Sequence, residues 1–326
     1  MTNKQKIQVL EFEKPMVEIE QGIETLRNDA KASKTATGKK KLADLEEKHQ
    51  SLYTGLSAWE RVQMARHPNR PYMLDCIDLC FDGFVELHGD RHIGDDAAMP
   101  GGFAYLGEQR CVVIGHQKGR NTKENLLRNF GSANPEGYRK AFRLMKLAEK
   151  FGLPVVSLID TPGAYPGIGA EERNIAEAIA FNLREMMMLK TPIIAVVIGE
   201  GGSGGALGIG VADEVMMLEN AYYSVISPEG CAAILWKDRK EGPKAAEALK
   251  ITAANLKKMG MVDQVVPEPI GGAHRDHAAA AELLKAALQK SVKRLLRVPE
   301  AKLLDTRYEK FRKLGEFAEG QPTAQA

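Results

Sequence analysis

The feature that most restricts the fold is a pattern used twice. Pro154 opens the apolar run VVSLID, which ends in the turn DTPGAYPGIG and leads into a helix-forming stretch. Pro192, 38 residues further on, opens IIAVVIG, which ends in GEGGSGG. Short β-branched runs bounded by Pro and Gly read as buried strands. The stretch between them puts Ile175, Ala178, Ile179, Leu183, Met186 and Met187 on one helical face. Neighbouring strands joined through a helix run parallel, since an antiparallel pair needs only a tight turn. Parallel sheets carry helices on their faces, so the repeat predicts an α/β core. It also places both glycine turns at one C-terminal sheet edge, where such sheets hold ligands.

The flanking sequence extends this pattern. CVVIGH (Cys111 to His116) reads as another buried strand. Asn134-Pro135 opens a helix that shares Tyr138, Ala141, Phe142, Met145 and Ala148 on one face, with Gly152 placed to stop it. EVMML and YYSVI are further short strands, and Ser227-Pro228 is a cap and first-turn pair for a helix running toward Trp236. Residues 17–66 are rich in Glu, Lys, Leu and Gln, and VEIEQGIETL and LADLEEKHQSLY have helical spacing. The intervening KASKTATGKKK has no apolar face and is expected to be a mobile connector. HAAAAELLKAALQKSVKRLL and LLDTRYEKFRKL predict C-terminal helices. The expected division is a helical arm over residues 1–75, the main domain over 76–299, and a C-terminal helix and tail over 300–326.

Lys and Arg total 45 against 43 Asp and Glu, a net charge of +2, so charge points to neither nucleic acid nor an anionic membrane as a required partner. No run approaches the ~18 apolar residues of a membrane span, and Glu11 and Glu13 stand where a signal peptide would be apolar. The expected location is the cytoplasm. Cys76 and Cys80 fit one helical face but are expected to act as small buried hydrophobes rather than as half a metal site. Ten of the 31 glycines fall between Gly163 and Gly210, which concentrates attention on the two turns.

Those turns admit three readings. Gly199, Gly201 and Gly204 satisfy G-x-G-x-x-G, with Glu219 about twenty residues on, as in dinucleotide-binding folds. Ala206 to Ala212 is short for the crossover helix such a fold needs. Gly201, Ser203 and Gly205 satisfy G-x-S-x-G, with Asp263 and His274 in the order of a hydrolase triad. His274, however, lies in the polar loop GGAHRDH, and Ser203 reads equally as a small helix cap. In the third reading Gly204 and Gly205 offer backbone N–H groups at a helix start, an oxyanion hole helped by Gly163 and Ala164. DTPG alone does not make a GTPase, because no G-x-x-x-x-G-K-[ST] accompanies it. HGDRH (His88 to His92) with Asp95 and Asp96 reads as a solvated, charge-paired loop rather than a metal site.

Longer motifs decide among these. GHQKGRNTKENLLRNFGSANPEGYRKAFRLMKLAEKFGLPVV, IDTPGAYPGIGAEERN, GEGGSGGALGIGVADEVMMLENAYYSVISPEGCAAILW and PEPIGGAHR resemble the α subunits of bacterial acetyl-CoA carboxylase carboxyltransferases, from about Phe12 to Phe311. The resemblance implies a crotonase-type (ClpP/crotonase) α/β fold, a spiral of strand–strand–helix units. It implies transfer of a carboxyl group from N-carboxybiotin on the biotin carboxyl carrier protein to acetyl-CoA, forming malonyl-CoA for fatty-acid biosynthesis. Biotin would sit mainly on this subunit and acetyl-CoA mainly on a zinc-ribbon β subunit, in an α2β2 assembly, with ATP used only by a separate biotin carboxylase. Carried over by position, Gly204 and Gly205 would donate to the biotin ureido oxygen, with Gly163, Ala164 and Tyr165 on the biotin side and no metal on this chain. The absence of any C-x-x-C fits an α subunit. Glu200 is expected to hold backbone N–H groups or an arginine, Tyr165 and Pro166 to pack on biotin or fill the turn. Lys118, Arg120, Lys123 and Arg128 are expected to form a solvated helix face rather than a contact for CoA phosphates or the carrier.

Overall fold

The structure, a computed structural model, describes residues 7–29 and 35–315. The helices are α1 (Lys14–Asn28), α2 (Ala36–Thr54), α3 (Ala58–Ala65), α4 (Met73–Cys80), α5 (Thr122–Leu127), α6 (Pro135–Phe151), α7 (Ile168–Glu172) and α8 (Ile175–Met187). They continue with α9 (Ser203–Leu207), α10 (Pro228–Leu235), α11 (Gly242–Leu249), α12 (Ala253–Lys258), α13 (His277–Leu295) and α14 (Glu300–Arg312). The strands are β1 (Asp82–Glu86), β2 (Gly101–Leu106), β3 (Gln109–Gly115), β4 (Val155–Thr161), β5 (Ile193–Gly202), β6 (Glu214–Leu218), β7 (Tyr222–Ser224) and β8 (Gln264–Val266). They form one sheet in the order β1-β2-β3-β4-β5-β6-β8, with β7 also paired to β5.

The 38-residue repeat is written into the sheet register. Val155 pairs with Ile193 and each partner follows in step to Ile159 with Val197, in parallel. After that the step slips: Thr161 pairs with Gly201, so β5 carries two extra residues at a bulge. β5 is also longer than the sequence suggested. Its middle pairs with β6 from Ile194 to Val197, whereas Glu200 to Gly202 pair with β7. Most of GEGGSGG is therefore strand, and only its last three residues begin a helix.

The helices cover this sheet as the apolar spacing requires. In α6, Tyr138, Ala141, Leu144, Met145 and Ala148 are buried, and Gly152 ends the helix at φ +64°, where a side chain would be strained. In α8 the buried residues are Ile175, Ala178, Asn182 and Met186. One apolar cluster runs from Ala58 to Leu303 and contains the apolar residues of β4 and β5. Among the described residues no helix is long and apolar enough to cross a membrane. All four cysteines are free and buried, Cys76 and Cys80 within the main core.

At the N-terminal end α1 and α2 pack on each other. The expected connector over 31–41 is corrected in part: α2 already starts at Ala36, because the Thr35 hydroxyl accepts the Gly38 N–H and caps it. Residues 30–34 lie outside the described residues. At the other end, α14 is held by Arg307, which is fully buried. Its guanidinium donates to the Asp213 carboxylate and to the carbonyls of Met186, Leu189 and Thr191, at 2.7–2.9 Å.

Candidate active site

The two turns meet at the C-terminal sheet edge. The chain leaves β4 through Pro162–Gly167 and leaves β5 directly into α9, whose N-cap is Gly202. The expectation that Ser203 caps this helix is corrected: Ser203 is its first residue, makes no capping bond and takes φ +49°. In the first turn of a helix the N–H groups lack intrahelical acceptors. No protein acceptor bonds the N–H of Gly204 or Gly205 among the described residues.

The glycines serve different ends. A Cβ on Gly205 would lie 2.5 Å from the Ala164 nitrogen and 2.5 Å from the Gly163 carbonyl carbon. One on Gly202 would lie 2.2 Å from the Pro162 oxygen. Both positions let the β4 turn seat backbone against backbone on α9. Gly204 is the open one, with only the Ile179 side chain within reach, at 3.7 Å. Gly163, at φ +152°, donates its N–H to the Thr161 hydroxyl oxygen at 3.1 Å, so it walls the site and is not a free donor. Tyr165 bonds its N–H to the Ala133 carbonyl, rests its ring on Gly167 and stays 38% exposed.

Under the edge lies a buried charge network. Lys118 Nζ donates to Asp160 Oδ1 and Glu200 Oε1, each at 2.7 Å. Arg66 Nε and the Tyr222 hydroxyl both donate to Glu200 Oε2, at 2.7 and 2.6 Å. Arg66 also pairs with Glu229 at 2.5 Å. The arginine expected for Glu200 is thus Arg66. Burial works against its charge, but Lys118 and Arg66 outweigh burial and hold the carboxyl at about 2. The same carboxylates keep Lys118 firmly protonated despite its burial.

Lys118 corrects the expected basic face. It and Arg120 precede α5, Lys118 is turned inward, and Arg120 bonds Asp75 and the carbonyls of Pro68 and Arg70. Arg128 donates to the Ala97 carbonyl. These cations are held by the fold because buried carboxylates and loop carbonyls need donors. Sequence inspection missed Arg66 and Arg70, since their partners are more than a hundred residues away. Arg70 forms a buried two-point pair with Glu268, at 3.1 and 2.5 Å, and donates Nε to the Ile198 carbonyl.

The rival turn readings lack their parts. Asp263 accepts the Val215 N–H and pairs with Lys310. His274, expected in a polar loop, is buried, bonded to Glu13 at 2.7 Å and stacked on His67 at 3.9 Å. Neither serves Ser203. Gly199 and Gly201 lie inside β5, and Glu219 accepts the Glu268 N–H. The HGDRH loop is charge-paired as read, Asp90 with Arg139 and Asp95 with His88 and Lys140, although Asp90 itself is buried. Glu13, His67 and His274 also converge closely enough to suggest a cation site. However, His67 Nδ1 accepts the Asn69 N–H, which leaves the proton on Nε2, donating to the Gln8 carbonyl. That nitrogen has no lone pair for a metal, and the cluster is a clasp between the segment before α1 and the loop before α13.

A mixed α/β sheet, antiparallel from β1 to β3 and parallel beyond, with a β4 turn and a helix start packed at its C-terminal edge, gives this chain the crotonase-type fold. A transcarboxylase 12S structure superposes with TM-score 0.54 at 21% identity, over 67% of this chain and 41% of that one. A Pseudomonas malonate decarboxylase hetero-tetramer gives TM-score 0.55 at 16% identity, over 66% of this chain and 86% of that one. The particular family follows from sequence. A profile described as "Acetyl co-enzyme A carboxylase carboxyltransferase-like" matches residues 9–315, and the chain belongs to that family. It is 55% identical over 314 residues to the acetyl-coenzyme A carboxylase carboxyl transferase subunit alpha of Geobacter metallireducens, covering 95% of this chain and 98% of that protein. For the subunit alpha of Thermus thermophilus the identity is 53%, with 95% and 99% covered.

Proposed function

We propose that this chain is the α half of an acetyl-CoA carboxylase carboxyltransferase, in which Gly204 and Gly205 donate to the ureido oxygen of biotin while a zinc-ribbon β subunit holds acetyl-CoA. Near-full-length similarity to named α subunits supports the reaction: transfer of the carboxyl group of N-carboxybiotin to acetyl-CoA, forming malonyl-CoA for fatty-acid biosynthesis. The observation that carries the site is the pair of N–H groups without acceptors in the first turn of α9. The donor set fits biotin, because Gly204 is open to a carbonyl oxygen and the half-exposed Tyr165 ring offers an apolar face.

Biotin supplies an activated carboxyl group and a ureido oxygen on which negative charge grows as that group departs. Gly204 and Gly205 hold two N–H groups where that charge develops; loss of one such donor typically costs ~100- to 1,000-fold in rate. Gly163 and Ala164 back the donor pair and keep α9 in place. Glu200 is excluded as a general base: at about 2, and bonded to three donor side chains, it has little affinity for a proton at neutral pH.

The partners on this reading are the β subunit in an α2β2 assembly, the biotin carboxyl carrier protein, and the ATP-using biotin carboxylase that recharges it, in the cytoplasm. The test is malonyl-CoA formation from carboxybiotin and acetyl-CoA by the purified chain, by the β subunit, and by the two mixed. Only the mixture is expected to turn over. Malonyl-CoA made by this chain alone would overturn the reading.

A further inference from the structure

The helix that carries the proposed donors is only five residues long. A helix of that length does not hold its own direction, and its last carbonyls find no donors within it. Two buried polar side chains from other helices meet them. Tyr138 of α6, fully buried, donates its hydroxyl to the Gly205 carbonyl at 3.2 Å. Asn182 of α8, also fully buried, donates Nδ2 to the Gly208 carbonyl and to the Tyr138 carbonyl, both at 2.9 Å. The exit of α9 rests on the tyrosine ring: a Cβ on Gly208 would come within 2.6 Å of it.

Asn182 stands on the buried face of α8, where an apolar residue would ordinarily pack. Two acceptor carbonyls fix its amide with NH2 toward them, and its Oδ1 is left buried without a partner among the described residues. Buried polar atoms without partners are uncommon and destabilising. Core packing alone does not account for an amide here; bracing the α6 backbone and the exit of α9 together does.

We infer that Tyr138 and Asn182 are positioning residues that fix the carbonyl end of α9 and thereby aim the Gly204 and Gly205 N–H groups at the reacting oxygen. The peptide unit is planar, and in a helical turn carbonyls point to one end and N–H groups to the other. Holding the Gly205 and Gly208 carbonyls therefore sets the direction of the free N–H end. The inference rests on the proposed role of Gly204 and Gly205.

The test uses the assembled complex with the β subunit and the variants Tyr138→Phe and Asn182→Leu. A donor tilted away from its target loses rate more than binding, so kcat for transfer to or from a biotin derivative should fall roughly 10- to 100-fold. KM for acetyl-CoA should stay near wild type, while the thermal midpoint of Tyr138→Phe should fall only modestly, as expected for one lost buried hydrogen bond. Independently of turnover, backbone hydrogen exchange across residues 199–208 should accelerate in both variants. Wild-type kcat with unchanged exchange in Tyr138→Phe would overturn the inference, as would equal losses in KM and thermal midpoint without a kcat effect. If the wild-type complex itself transfers no carboxyl group, the parent reading fails, and exchange still reports whether the two side chains hold α9.

Discussion

The Cβ position of Gly205 falls 2.5 Å from the amide nitrogen of Ala164, closer than any real contact of that kind. Two catalytic-edge turns that lie 38 residues apart in register therefore touch through bare backbone. The same contact separates two roles that glycine plays side by side, packing at Gly205 and openness at Gly204.

Gly205→Ala should destabilise the protein and lower activity together, because the β4 turn must move. Overpacking of this kind costs about 1–3 kcal/mol. Gly204→Ala has room, with Ile179 at 3.7 Å, and should fold with a near-native thermal midpoint while slowing transfer. Thermal unfolding and the transfer assay on both variants check the contrast.

Ser203 carries a backbone φ of +49° but has no base beside it, since Asp263 and His274 are committed elsewhere. Ser203→Ala should keep most of the transfer activity of the complex, and a fluorophosphonate should leave Ser203 unmodified. Labelling at Ser203 with loss of activity would revive the hydrolase reading.

Stability should fall on acidification below about pH 6.5. Burial and the neighbouring Lys118 push His116 down to about 3, and burial and His274 push His67 down to about 4. The unfolded chain then binds protons that the folded chain refuses, so stability is full above the unfolded pKa and is lost as pH drops. Each group contributes roughly 2 kcal/mol of loss by pH 5. His116→Leu, with no proton to gain, should flatten the slope of thermal midpoint against pH between 5 and 7.

Arg70→Met should leave Glu268 buried and unpaired and cost about 3–5 kcal/mol, measured by denaturant unfolding. Glu11→Gln, by contrast, breaks an exposed pair with Lys14 and should change stability by less than about 1 kcal/mol.

Local sequence carried much of the fold. The Pro154 and Pro192 repeat reads directly as β4 and β5 in parallel register, Gly152 stops α6 where expected, and Ser227 caps α10 through the Gly230 N–H. These follow from side-chain periodicity and backbone preference, which act over a few residues. The motifs of the two turns, over long matching stretches, pointed to the family. The boundary between strand and helix in GEGGSGG was not legible, because the pairing of Glu200 with Tyr222 is what makes Gly199 to Gly202 a strand.

The sequence by itself determined the α/β core, the parallel pairing of the two repeats and the place of both turns at one sheet edge. Tertiary structure alone decided what each polar residue does there. Glu200 is matched to Lys118 and Arg66, 82 and 134 residues away, Tyr138 reaches the Gly205 carbonyl, 67 residues on, and Glu13 closes on His274 across 261 residues. A buried charge or hydroxyl takes whichever partner the packed fold brings within about 3 Å, and that choice has no local signature.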